Sequence, residues 1–114
     1  MLISKVKAVR VIHLTGETEY QDETYQLSRT IGVIELTGSR QEGRGATLKV
    51  GFTDEVPTPG PTFVADEHEA VGTITLPGIQ FAAYLALAQT PAAHFRIGDP
   101  AEQNALGLEA TILR

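Results

Sequence analysis

Cysteine is absent from this sequence, and serine occurs only three times. The first absence excludes disulfides, thiolate catalysis, iron–sulfur clusters and every cysteine-containing zinc site. The second leaves little material for nucleophilic catalysis. Ser4, Ser28 and Ser39 are the whole supply, and none lies in a G-x-S-x-G setting. Ser39 falls in a loop with no assignable base, and a hydroxyl without a base is not activated. Long apolar runs are missing too. The longest, Phe81 to Ala88, has eight residues, against the ~20 that a membrane-spanning helix needs. The N-terminus shows no apolar stretch behind a basic start and no lipidation signal. The expectation is a cytoplasmic chain without membrane contact.

Positive charge is scarce as well. Nine Lys and Arg stand against fourteen Asp and Glu, a net charge of −5. Duplex binding draws on a basic excess that displaces counterions, so the balance argues against nucleic acid as a partner. Eleven of the fourteen acids fall in three turn-like stretches, Glu17 to Glu23, Asp54 to Glu69 and Asp99 to Glu102. Lys5, Lys7, Arg10, Arg29, Lys49 and Arg96 fall in segments expected as strands. A basic sheet face beside acidic loops is one outcome of this pattern, and a solvated surface of mixed sign is the other.

What is present is the material of a globular core. At 114 residues with 42% hydrophobic and 20% charged side chains, residues 1–114 make one β-rich domain. A folded chain of this mass buries about two-thirds of its extended surface. No repeat, low-complexity tract or linker divides it.

Alternation of period two dominates the chain. Ser4 to Leu14 is expected as one strand that loses its apolar phase after Ala8. Tyr25 to Thr37 is expected as another, whose phase changes beyond Gly32. A β-bulge or a half-strand buried on both faces explains such a change, and both point to a sheet that bends. Gly38 to Gly45 is a turn by composition, and Ala46, Leu48, Val50 and Phe52 then mark one face of a clean strand. Pro57, Pro59 and Pro61 interrupt any ladder. Pairing can resume at Phe63 and Val64, and Ala70 to Leu76 alternates again. His94 to Ile97 is a short strand, and Leu106 to Ile112 is expected as the last one. Leu48, Val50, Leu108 and Ile112 are the expected core positions.

One helix is expected between Pro77 and Gln89, with proline at its start, an Ala- and Leu-rich interior and Pro91 as its stop. It is apolar on all sides, so it is either buried or a contact between chains. The expected fold is therefore all-β, a mainly antiparallel β-sandwich or barrel with one short buried helix near residues 77–89. Six or seven strands are expected, and only one connection can hold a helix, which excludes parallel βαβ units. The order of strands, helix, then two strands also resembles an OB-like barrel, in which Phe63 to Leu76 would be surplus.

Candidate chemistry is thin. Asp66, His68 and Glu69 form the most site-like stretch, because carboxylates beside an imidazole suit a divalent cation. His13 or His94 would add a third ligand if the fold brought it near. An acidic loop with an incidental histidine is the alternative, because neither zincin nor calcium-loop spacing is present. Four carboxylates between Glu17 and Glu23 form a second patch, which suits either calcium or a solvated hairpin. The loop Gly38 to Gly45 carries Arg40 and Arg44 but fails the phosphate-loop pattern. Among the aromatics, only Tyr20 and Tyr25 lie free of an expected core face, where a base would stack beside a basic residue such as Lys49.

No cofactor is expected. These features favour a non-catalytic binding or assembly module that forms a homo-oligomer, with a protein partner as a further option. The alternatives are a small metal- or ligand-binding barrel acting through the acidic loop 66–69, and an OB-like barrel that binds single-stranded nucleic acid.

Overall fold

The N-terminal segment changes its apolar phase because it changes sheets. In the computed structural model, which describes residues 1–14, 20–22, 24–27 and 30–112, the expected strand Ser4 to Leu14 is divided. Strand β1 (Leu2–Lys5) pairs antiparallel with a late strand, Ala93–Ile97, whereas β2 (Ala8–His13) pairs antiparallel with Thr30–Thr37. The handover takes two residues. The Val6 N–H donates to the Ala93 carbonyl at 2.9 Å, and the Lys7 N–H donates to the Thr37 carbonyl at 2.8 Å.

The second phase change has a different cause. The segment expected as one strand holds a short β4 (Gln26–Leu27), hairpin partner of β3 (Tyr20–Gln21), and then β5 (Thr30–Thr37). Pairing with β6 (Gly45–Thr53) steps from Thr30↔Thr53 to Gly32↔Phe52, which leaves Ile31 as the extra residue of a bulge. One inserted residue moves every later side chain to the opposite face. Ile34 and Leu36 thereby join the same face as Val50 and Leu48.

Beyond β6, three prolines interrupt the ladder, and the chain then forms the hairpin β7 (Thr62–Ala65) and β8 (Glu69–Pro77). β8 inserts between β7 and β6, so the five-stranded sheet runs β2-β5-β6-β8-β7. Its pairing with β6 is parallel. The sheet is otherwise antiparallel, and this parallel pair needs no helical crossover because the edge strand β7 provides the return path.

The second sheet runs β1-β9-β10, with β9 (Ala93–Ile97) and β10 (Ala105–Leu108). It packs over one face of the larger sheet. Phe95, Ile97 and Leu106 meet Ile34, Leu36, Ala46, Leu48, Val50, Phe52 and Ala70 in a single cluster. Close approach depends on Gly72, where a Cβ would run into Ile97 and the Asn104 side chain.

The helix is shorter than expected. After a 3₁₀ turn over Gly78–Gln80, α1 spans Phe81–Ala88. Phe81 and Tyr84 close one end of the core, their rings 5.1 and 6.1 Å from that of Phe52. The helix is not buried all round. Ala88 is buried and Phe81, Tyr84, Leu85 and Leu87 are half-buried, while Ala82, Ala83 and Ala86 face solvent.

The last expected strand requires correction. β10 ends at Leu108, and Glu109–Ile112 forms a helical turn, α2. Leu108 overruns the core and is 46% exposed, whereas Leu106 on the same face is 8% exposed. Ile112 is buried as expected, but by another route. The helical turn folds it back over Gly107, the face opposite Leu106.

Candidate functional site

The acidic stretch is the turn of the β7–β8 hairpin. Asp66 Oδ1 accepts the backbone N–H groups of His68 and Glu69 at 2.8 and 2.9 Å, and the Asp66 N–H donates to the Glu69 carbonyl at 2.9 Å. Those two N–H donors hold the Asp66 carboxyl below its ordinary range. The carboxylate is thus part of an Asx-type turn. His68 and Glu69 are exposed beside it. His13 lies elsewhere, its ring 5.2 Å from that of Phe81, and His94 Nδ1 lies 3.0 Å from the Ala92 carbonyl. Among the described residues, no three His, Asp or Glu side chains gather as metal ligands.

The second acidic patch lies partly outside the described residues, which include Asp22 but not Glu17, Glu19 or Glu23. Asp22 clasps the β3–β4 hairpin to the outer face of the larger sheet. Its carboxylate accepts Lys49 Nζ at 2.6 Å, the Tyr20 hydroxyl at 2.8 Å and the Thr24 N–H at 2.8 Å. Burial alone would raise its pKa, but these donors, led by Lys49, outweigh burial and set it at about 2. The same environment, burial first and Asp22 second, pushes the Tyr20 hydroxyl up.

Tyr25 is not free to stack. It is 5% exposed, its hydroxyl bonds the Thr75 hydroxyl and the Ile74 carbonyl, and burial raises its pKa. Gly51 makes room for it, since a Cβ there would collide with the Tyr25 hydroxyl and with Leu27.

The turn after β5 is likewise self-contained. Gln41 and Arg44 exchange backbone bonds at 2.8 and 2.9 Å, and Arg40 donates to the Gly43 carbonyl. Gln41 Nε2 ties this turn to the Ile3 carbonyl at 2.7 Å.

Two further surface features stand out among the described residues. The first is a seam. The larger sheet ends at the edge strand β7 and the smaller one at β10, and no ladder joins β7 to β10 among the described residues. Asn104 stitches the gap. Its Nδ2 donates to the Thr62 and Thr73 carbonyls at 2.9 and 3.2 Å, and its Oδ1 accepts the Gly98 N–H at 3.0 Å.

Beside this stitch lies a cleft of about 270 Å³. Pro59, Pro61, Ile74, Leu76, Tyr84 and Leu106 form its apolar walls, with Glu102, Asn104 and Thr75 as polar groups. Asn104 and Glu102 sit in a stretch that sequence reasoning treats as a plain loop. The proline-spaced segment ahead of β7 is the only local signal that strand pairing stops there.

The second feature is the outer face of α1. Ile79 is 92% exposed ahead of it, and Ala82, Ala83 and Ala86 continue the apolar surface. Gln80, Gln89 and Thr90 border that surface. No described helix is long and apolar enough to cross a membrane. Compared with known proteins, the chain matches no family model, no curated protein and no solved structure.

Proposed function

We propose that the chain is a non-catalytic binding and assembly module whose copies associate through the outer face of α1. The observation that carries this reading is an apolar helix packed on one side only. From Ala70 through Ala93 there is no charged side chain, so no like-charge repulsion opposes contact on that face. Alanines permit close approach of two helices, and an apolar surface rimmed by polar groups marks an interaction site.

Ser4 supports the non-catalytic part. The Ser4 hydroxyl donates to the Lys5 carbonyl at 3.0 Å and accepts the Ser39 N–H at 2.8 Å, a structural role between β1 and the turn after β5. A metal site at Asp66, His68 and Glu69 draws less support, because Asp66 is committed to its turn. Single-strand binding through Tyr25 and Lys49 meets the same difficulty, since both are engaged internally.

Native mass spectrometry and light scattering test the proposal. The expected mass is a multiple of the single chain, falling to one chain in the Ala83→Glu, Ala86→Glu double variant with little change in melting temperature. A wild-type chain that stays monomeric at high concentration overturns it.

A further inference from the structure

The cleft at the seam is lined by β8 on one side and β10 on the other. We infer that it is a docking slot for an extended peptide segment of a partner protein, taken up as an added strand between β8 and β10.

Backbone parity carries this inference. Just before β8, the His68 carbonyl accepts the Gly45 N–H, on the β6 side, at 2.9 Å. The Thr73 carbonyl instead accepts Asn104 on the seam side. Backbone groups alternate sides along a strand, so even-numbered residues of β8 face β6 and odd-numbered ones face β7 or the seam. β7 pairs with β8 only from Ala70 to Thr73. Thr75 therefore directs its N–H and C=O into the cleft, beyond the reach of β7.

The opposite wall follows the same rule. The Glu109 N–H donates to the Ala92 carbonyl of the β9 side at 3.0 Å, while the Ala93 carbonyl faces β1. Odd-numbered residues of β10 thus use their backbone groups on β9, and Leu106 turns its own outward. Thr75 and Leu106 both line the cleft. Two strand edges face each other across it, each with a donor and an acceptor.

Among the described residues no ladder pairs β8 with β10. Paired strands lie about 4.8 Å apart and bond through their backbones, whereas Asn104, just ahead of β10, reaches the Thr73 carbonyl of β8 through its side chain. Traced through the pairings and the continuous β1–β2 segment, β8 and β10 run in the same sense. A strand antiparallel to both, collinear with β7, fits between them. The chain's own segment alongside cannot supply a full ladder strand there, because Pro59 and Pro61 carry no N–H.

The walls also state the chemistry of the occupant. Its inward side chain meets Leu76, Tyr84 and Leu106, and its end lies near the exposed Glu102 carboxylate. An extended segment with a small apolar residue and a neighbouring Lys or Arg satisfies both, with main-chain bonds giving affinity.

Amide exchange by NMR on the intact chain tests this. The probes are a capped peptide of alternating valine and threonine with a terminal lysine, the same peptide ending in glutamate, and an analogue with proline at the central positions. In the free chain the Thr75 and Leu106 amides should exchange freely while Ile74, Ala105 and Gly107 are protected. The lysine-ended peptide should slow both free amides together by at least tenfold, the proline analogue should not, and Glu102→Lys should reverse the preference between the two ends.

Protection of Thr75 and Leu106 in the free chain overturns the inference, as does a failure of both unmodified peptides to slow them. Protection that grows with protein concentration alone also overturns it, and assigns the slot to a second copy. The Ala83→Glu, Ala86→Glu variant should bind the peptide unchanged, which separates this result from the association through α1.

Discussion

Replacing Asn104 by alanine tests whether one side chain holds the two sheets together at their open edge. The wild-type amide makes three hydrogen bonds, to the Thr62 carbonyl, the Thr73 carbonyl and the Gly98 N–H. A hydrogen bond contributes about 1 kcal/mol net, and an orphaned buried partner costs about 1–3 kcal/mol. The Gly98 N–H is buried and pays in full. The Thr73 carbonyl is buried as well, whereas Thr62 is exposed and water recovers most of the loss at its carbonyl. The sum is about 2–5 kcal/mol, equivalent to a fall of roughly 8–20 °C in Tm for a chain of this length. Urea denaturation would measure it, with the midpoint shifted and the slope unchanged. Asn104→Asp sharpens the test. It keeps an acceptor for Gly98 but sets a carboxylate against two carbonyl oxygens, so it should be at least as destabilising as alanine. A loss below about 0.5 kcal/mol in Asn104→Ala would refute the stitch and show that core packing alone holds the seam.

Leu48, fully buried, and Leu108, 46% exposed, should separate widely. Leu48→Ala is expected to cost about 2–5 kcal/mol and Leu108→Ala less than about 1 kcal/mol in the same denaturation assay. Gly51→Ala forces a methyl group onto the Tyr25 hydroxyl and Leu27. Overpacking of this kind costs about 1–3 kcal/mol, and the loss should appear with faster amide exchange in β3 and β4. Asp22 gives a pH signature. Its folded value of about 2 lies below the ordinary 3.8, so its contribution is complete above pH ~4 and is lost as the pH falls towards 2. The urea midpoint should drop across that window, and Lys49→Met should flatten the drop. An unchanged slope in the variant would sink the clasp.

Legibility in the sequence followed from how local each signal was. Ala46 to Phe52 alternates without interruption because β6 is central and buried on its inner face, and Leu48 and Val50 are wholly buried as expected. The phase changes after Ala8 and near Gly32 were visible as breaks in alternation, and they mark the sheet switch and the bulge. Leu108 was misplaced because period two reports which face a residue takes but not where the core beneath that face ends. Tyr25 was misplaced because its burial depends on Gly51 and Thr75, residues far away in the chain. The candidate site was not legible at all. Asp66 and His68 attract notice through residue type, while Asn104 and Glu102 sit in an unremarkable loop.

By itself, then, the amino-acid order determined an all-β chain with one helix, the positions of its turns and the places where strands bend. These are consequences of propensity, proline's missing donor and the alternation of side chains along a strand, all of which act over a few residues. Tertiary structure alone decided that β8 returns between β7 and β6, that α1 leaves one apolar face uncovered, and that a cleft opens between Thr75 and Leu106. Those outcomes depend on which distant edges meet, and no local preference of the chain encodes that choice.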